Sequence, residues 1–288
     1  GDKSFVLSEA AFGLRALVRL AEAAQPMQAG LEADIARQNL ENAAISASNL
    51  CEIYLAIGNV ERALNYARQS VELADRSGIA FQRMGKRTTL ADALNQAGRL
   101  EEAEAAFREA EEMQKKDQPK FPILYTILGF RYCDFLLDKE EYREVIRRAT
   151  QTLEWVNRYS VELLGIALDH LSLGRAHLLQ LQHELNHPIT EAANYLNRAV
   201  DGLRQAGQQQ YISLSLLARA EFYRVMGVLD KSQRDLDEAF TIATRGGMGL
   251  FLADCHLEYA RLALAQPHPK RLSKKFFPGR HGCWETSS

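Results

Sequence analysis

The stretch "TTLADALNQAGRLEEAEAAFREAEEM" (residues 88–113) carries apolar residues at three- and four-residue spacing on either side of "QAGRL". That spacing puts one apolar stripe on each of two helices. Gly98 between them takes the left-handed conformation that ends the first helix without steric penalty. A helical hairpin is therefore expected here, and the question is whether the rest of the chain repeats it.

It does, with a period near 40 residues. Anchored on Ala103 in "RLEEA", the matching positions are Ala23, Ala63, Val145, Ala192 and Ser232. Seven residues beyond each anchor lie Gly30, Ser70, Ala110, Thr152, Ala199 and Ala239, all small. Twelve residues before it, in the preceding helix, lie Ala11, Cys51, Ala91, Cys133 and Ala220, with Gly174 in the fifth unit, where an insertion stretches the spacing. Larger side chains at a helix crossing would force the two backbones apart and open voids. Gly58 in "AIGNV" and Gly227 in "VMGVL" repeat the role of Gly98. Leu50, Tyr54, Leu90, Leu94, Phe107, Leu136, Leu196, Tyr223 and Leu236 form the apolar seam between the small positions.

This pattern resembles the tetratricopeptide repeat (TPR) family over about residues 5–265, although the period is longer than that family's usual 34 and the Trp often found in its first helix is absent. The resemblance implies an all-α fold: an α-α superhelix, or TPR-like solenoid, of about six helical hairpins plus a C-terminal capping helix. The stretches 87–114, "GFRYCDFLL" (129–137), "ALDHLSLGRAHLL" (167–179) and "ADCHLEYARL" (253–262) look like the long-period arrays of bacterial signalling ATPases. Such arrays serve as sensor or partner-binding regions. They often follow a nucleotide-hydrolysing switch domain or accompany a caspase-like or Toll-type effector domain.

Composition narrows the function classes. The 288 residues are 47% hydrophobic and 25% charged, with formal net charge −2. No general affinity for nucleic acid or an anionic membrane is expected without a basic surface. No apolar run reaches the ~20 residues of a membrane span, and "GDKSFVLSEA" at the start has no signal-peptide pattern. The chain opens on Gly1 rather than Met, which reads as a segment of a longer protein. Cys51, Cys133, Cys255 and Cys283 are widely spaced, as reduced thiols of a cytoplasmic protein would be. After residue 265 the character changes: "PHPKRLSKKFFPGRHGCWETSS" (267–288) holds three prolines and a basic cluster, Lys270, Arg271, Lys274 and Lys275. Residues 266–288 are expected to be a basic, flexible tail outside the array.

One string competes with a binding role. "HELNH" (183–187) fits the H-E-x-x-H signature of zinc proteases, in which two His one turn apart grip a metal. Here it falls in the connection between the helices of the fifth hairpin. Pro188 pushes His187 out of helical geometry, so the spacing no longer aligns the imidazoles. No strand is evident to edge a protease cleft. His170 and His177, two turns apart on the preceding helix, read as interior or groove histidines. "RGGMG" (245–249) lacks the Lys-Ser/Thr ending of a phosphate loop and reads as the break before the capping helix. No catalytic residue, metal ligand or cofactor is assigned, and the chain is expected not to be an enzyme.

The remaining signal is a groove. In stacked hairpins the first helices line the concave face, and the residue after each small position points into it. Those positions and the ones a turn later are Phe12 and Arg15, Glu52, Asp92 and Asn95, Asp134, Arg175, and Glu221 with Arg224. Charged groups on a sheltered surface suit a polar partner, a protein or peptide. The competing reading is a solvated face with local ion pairs between helices. Self-association into a homodimer through an uncapped end is the structural alternative.

Overall fold

A computed structural model describes residues 3–159, 163–184 and 188–266. These form thirteen helices and, among the described residues, no strand. Six hairpins follow one another: α1 (Lys3–Ala16) with α2 (Leu20–Ala36), α3 (Leu40–Ile57) with α4 (Val60–Ser77), α5 (Ala80–Gln96) with α6 (Leu100–Asp117), α7 (Thr126–Asp138) with α8 (Tyr142–Tyr159), α9 (Leu163–His183) with α10 (Ile189–Ala206), and α11 (Gln209–Val225) with α12 (Leu229–Gly246). A single helix, α13 (Gly249–Ala265), ends the array. The fold is the TPR-like solenoid expected. The segment 267–288, including Cys283, lies outside the described residues.

The small positions are small because the helices touch there. Ala23, Ala63, Ala103, Val145, Ala192 and Ser232 have no exposed surface, and neither do Ala11, Cys51, Ala91 and Ala220 on the first helices. A methyl group on Gly174 would come within 2.7 Å of Leu196 side-chain atoms and 3.1 Å of its amide nitrogen. Gly174 is thus the smallest member of its set because α10 presents Leu196 directly over it. Turn chemistry follows the same logic: Gly58, Gly98 and Gly227 have φ of +92°, +72° and +73°. The side chains of Asn39 and Asn59 cap α3 and α4 by accepting hydrogen bonds from the amides of Asn42 and Arg62. Val18, Gln38 and Glu140 adopt positive φ without being glycine.

The fifth-unit insertion is only partly a loop. The helix α9 runs nine residues past Gly174, whereas α3 runs six past Cys51, so part of the insertion adds most of a turn to α9. The helix ends at His183, and Glu184 is already outside it.

The array also curls back on itself. Each first helix packs on the next, α3 on α5, α5 on α7, α7 on α9, α9 on α11 and α11 on α13; α13 then packs on α3. The six make a closed ring. At the closing contact a methyl group on Gly249 would sit 2.3 Å from the Ile57 carbonyl oxygen, and one on Gly58 3.6 Å from the Leu250 amide. Beside it, a methyl on Gly246 would fall 2.5 Å from a Val18 methyl carbon. One apolar core consequently runs from α1–α3 into α11–α13, and a second fills the space between α5 and α9.

Candidate functional site

The ring encloses a cavity of about 480 Å³. Glu52, Asp92, Asp134, Arg175 and Glu221 all line it, so five of the nine expected groove residues are brought together at one site. Three of the other four stand at its edge. Arg15 donates to Asn49 Oδ1 (3.0 Å) and to the Glu52 carboxylate. Asn95, almost fully buried, donates to Asp138 Oδ2 at 2.7 Å. Arg224 pairs with Glu258 and lies 3.7 Å from Glu221. Phe12, 44% exposed, sits instead in a smaller recess with Arg15, Val18 and Met248.

Much of the charge is therefore satisfied within the protein. Arg131 on α7 is the main connector. Only 7% exposed, it donates to Thr89 Oγ1 (3.0 Å) on α5 and reaches across the cavity to Glu52 on α3, 79 residues away in sequence. Its Nε lies 3.9 Å from Asp92 Oδ2. Burial works to raise the Glu52 carboxyl, but Arg15 and Arg131 outweigh it and hold it down at about 2. Asp134 pairs with Arg175.

Pairing does not use up the acids. Seven carboxylates and three guanidiniums line the cavity, and Arg15 and Arg224 reaching in from the edge, with Lys86 acting on Glu52, still leave one acid in excess. Burial pushes Asp92 up to about 7; Arg131 opposes this, while Asp134, Glu52 and Asp138 reinforce it. Burial also raises Asp138, helped by Asp134, and raises Asp254, against Arg175 and with Asp134 and Asp138. Between the charges lie apolar surfaces, among them Phe130, Tyr211, Leu217 and Phe251. The rings of Phe130 and Tyr211 meet edge to face at 5.6 Å.

Several of these residues were missed from sequence, and for two of them a signal existed. Arg131 and Asp138 lie three before and four after Asp134, hence on the same helical face. Reading a turn in both directions, at both spacings, would have found them. Asp254, Leu257 and Glu258 had no such signal. The register of the other units would point His256 inward, but α13 is rotated so that 254, 257, 258 and 261 face the cavity instead.

The zinc-protease string takes a different form. His183, the last residue of α9, stacks on Tyr142 at 6.0 Å. Glu184 accepts from Arg143 (2.8 Å), Tyr142 (3.1 Å) and Gln180 (2.8 Å). His187 lies outside the described residues. His177 stacks on Tyr195 at 5.5 Å and approaches Glu191 at 3.3 Å. Among the described residues no group of three His, Cys, Asp or Glu could hold a metal ion. No described helix is long and apolar enough to cross a membrane.

Solved structures share this architecture. BtubC (BKLC) from P. vanneervenii matches with TM-score 0.51 and 16% identity, over 95% of this chain and 98% of that one. A signal transduction ATPase with numerous domains, carrying a tetratricopeptide repeat sensor, from Pyrococcus horikoshii matches with TM-score 0.53 and 16% identity. That match covers 91% of this chain but only 38% of the ATPase. Identities this low show a fold, and the fold is that of TPR-like repeat proteins. No family model matches the chain, and neither does any curated protein.

Proposed function

We propose that the chain is a non-catalytic binding module that takes a protein or peptide segment into the ring-enclosed cavity. The observation that carries this reading is the cavity wall itself. It combines unpaired carboxylate capacity with apolar patches, on rigid helices that need no rearrangement to present it. An extended chain segment supplies both kinds of complement, cations and apolar side chains, at alternating positions. The module is read as part of a larger bacterial, cytoplasmic signalling protein. The sensor-bearing ATPase above supports the signalling context, and three buried free thiols, Cys51, Cys133 and Cys255, support the compartment.

The test is affinity capture followed by mass spectrometry, run in parallel with the chain and with Asp92→Lys/Asp134→Lys. The double variant is expected to lose specific prey while far-UV circular dichroism still shows the helices, with some fall in melting temperature because Asp134→Lys sets a cation against Arg175. An unchanged prey set overturns the assignment. Self-association is the second reading, favoured by Leu264 (85% exposed) near the end of α13. Light scattering that returns a monomer mass at every concentration eliminates it.

A further inference from the structure

We propose that the cavity is a docking site for the chain's own basic segment, residues 270–284, which follows the last helix of the ring. The proposal rests on reading the cavity as a binding site and names its occupant. Three observations favour this occupant.

The first is charge. The cavity retains an excess of acid after its internal pairs are formed among the described residues, with Asp254 in no ion pair, only under the longer-range pull of Arg175 and Arg261, and Asp92 only a 3.9 Å approach from Arg131. Residues 267–288 contain five Lys and Arg, against the single acid Glu285. Opposite charges facing one another in a concave, poorly hydrated space attract more strongly than on an open surface.

The second is the place of attachment. The cavity wall includes Asp254, Leu257, Glu258 and Arg261 of α13, and that helix ends only four residues past Arg261, at Ala265. Returning from Gln266 to the level of Asp254 is a path of ~18 Å at the helical rise of 1.5 Å per residue. Eleven extended residues, 267–277, span up to ~36 Å, so Lys274 through Phe277 are within reach.

The third is the apolar complement. Phe276, Phe277 and Trp284 lie among the basic residues, and the wall offers Phe251 and Leu257 between its carboxylates. Attachment to the same chain holds the segment at an effective concentration on the order of mM, so even a ~100 μM site would be about nine-tenths filled. An external partner must then displace the segment, which would make it an internal competitor.

The chain has two tryptophans, Trp155 and Trp284, and Trp155 sits on α8 beside Phe121 and Tyr125. In the Trp155→Phe variant of the 288-residue chain, kept reduced, the emission of Trp284 alone reports the segment. Docking predicts blue-shifted emission and an acrylamide quenching constant about threefold or more below that of a synthetic peptide of residues 267–288. Adding Asp92→Asn and Asp254→Asn, or 0.5 M salt, should bring it back toward the peptide value. Quenching equal to the free peptide in every case overturns the proposal, and so does protection that grows with protein concentration, which would mean a second copy is the occupant. As a second measurement, the 288-residue chain carrying Lys274→Glu/Lys275→Glu should bind the synthetic peptide in trans more tightly than the unmodified chain does; equal binding counts against the proposal. If the segment fails these tests while Asp92→Lys/Asp134→Lys still loses its prey, the cavity remains a partner site and only the occupant is wrong.

Discussion

Replacing Gly249 by Ala tests the closing contact of the ring. The added methyl carbon would stand 2.3 Å from the Ile57 carbonyl oxygen and 3.2 Å from its carbon, against the 3.4–4 Å of ordinary contact. Both neighbours are backbone, so no side chain can swing aside, and the ends of α3 and α13 must part by about 1 Å. Overpacking of this kind costs about 1–3 kcal/mol. Against it stands the helix preference for Ala over Gly, about 0.5–1 kcal/mol in a helix interior and less here, in the first turn of α13. A net loss of about 1–2 kcal/mol remains, which for a chain of this size lowers the melting temperature by about 2–8 °C. Gly13→Ala on α1 is the control: a methyl there meets nothing within 4 Å, so only the preference acts and stability should rise. Thermal scans of both variants decide the matter, with hydrogen exchange showing faster exchange at Leu250 and along the end of α3. A Gly249→Ala chain as stable as the parent, or gaining as Gly13→Ala does, would refute the closed ring.

Three further outcomes follow from the same geometry. Arg131→Met removes the cation shared by Glu52 and Asp92 and should cost about 3 kcal/mol in denaturant unfolding; Arg131→Lys should recover only part, because an ammonium cannot bridge Thr89 and Glu52 as a fork does. Asp92 and Asp169 are both raised by burial from 3.8 to about 7. The folded chain therefore binds more protons than the unfolded one between about pH 4 and 7, and stability from these groups falls as pH rises through that window. Asp92→Asn should flatten the decline in melting temperature from pH 5 to 7, and an unchanged slope would contradict the burial of that carboxyl. Glu52, held at about 2 rather than 4.5, acts the other way: its contribution is present above pH 4.5 and lost as pH falls toward 2. Finally, Gly174→Ala should lose about 1–3 kcal/mol against Leu196. Leu196→Val should restore part of this in a double-mutant cycle, and strict additivity would place the two residues apart.

The repeat was legible because close packing leaves a mark on residue size. Eighteen small positions had to be small wherever they fell in the chain, and buried Cys51, Cys133 and Gly174 satisfy that demand as well as Ala does. Turns that needed positive φ announced themselves by glycine at 58, 98 and 227, whereas Val18 and Glu140 hold the same conformation with no such sign. Curvature left no comparable mark. It is the sum of small rotations between neighbouring units, so whether α13 meets α3 depends on all six hairpins together and on no single one. Gly249 is the one residue that records the contact. In the sequence it is indistinguishable from its neighbours in "RGGMG", which read simply as a helix break.

Closure changes what the inner charges mean. On an open solenoid, the residue after each small position would be the wet face that any helix requires, and its ion pairs would be worth little. In the ring, the same residues line a walled cavity. Asp92 keeps 23% of its side-chain surface exposed and is nevertheless raised to about 7, as expected for a carboxyl opening into a walled pocket. Under that condition an acid needs a cation, and Arg131, extending from α7 to Glu52 on α3, is the cation the fold supplies. The pairs expected of an idle surface are thus present, but they do not balance: among the described residues Asp138 and Asp254 form no ion pair, and Asp134 and Asp138 repel the charge on Asp254. A visiting cation would relieve that repulsion. The internal pairing fixes the shape of the wall, and the acid left unpaired would suit a cationic occupant.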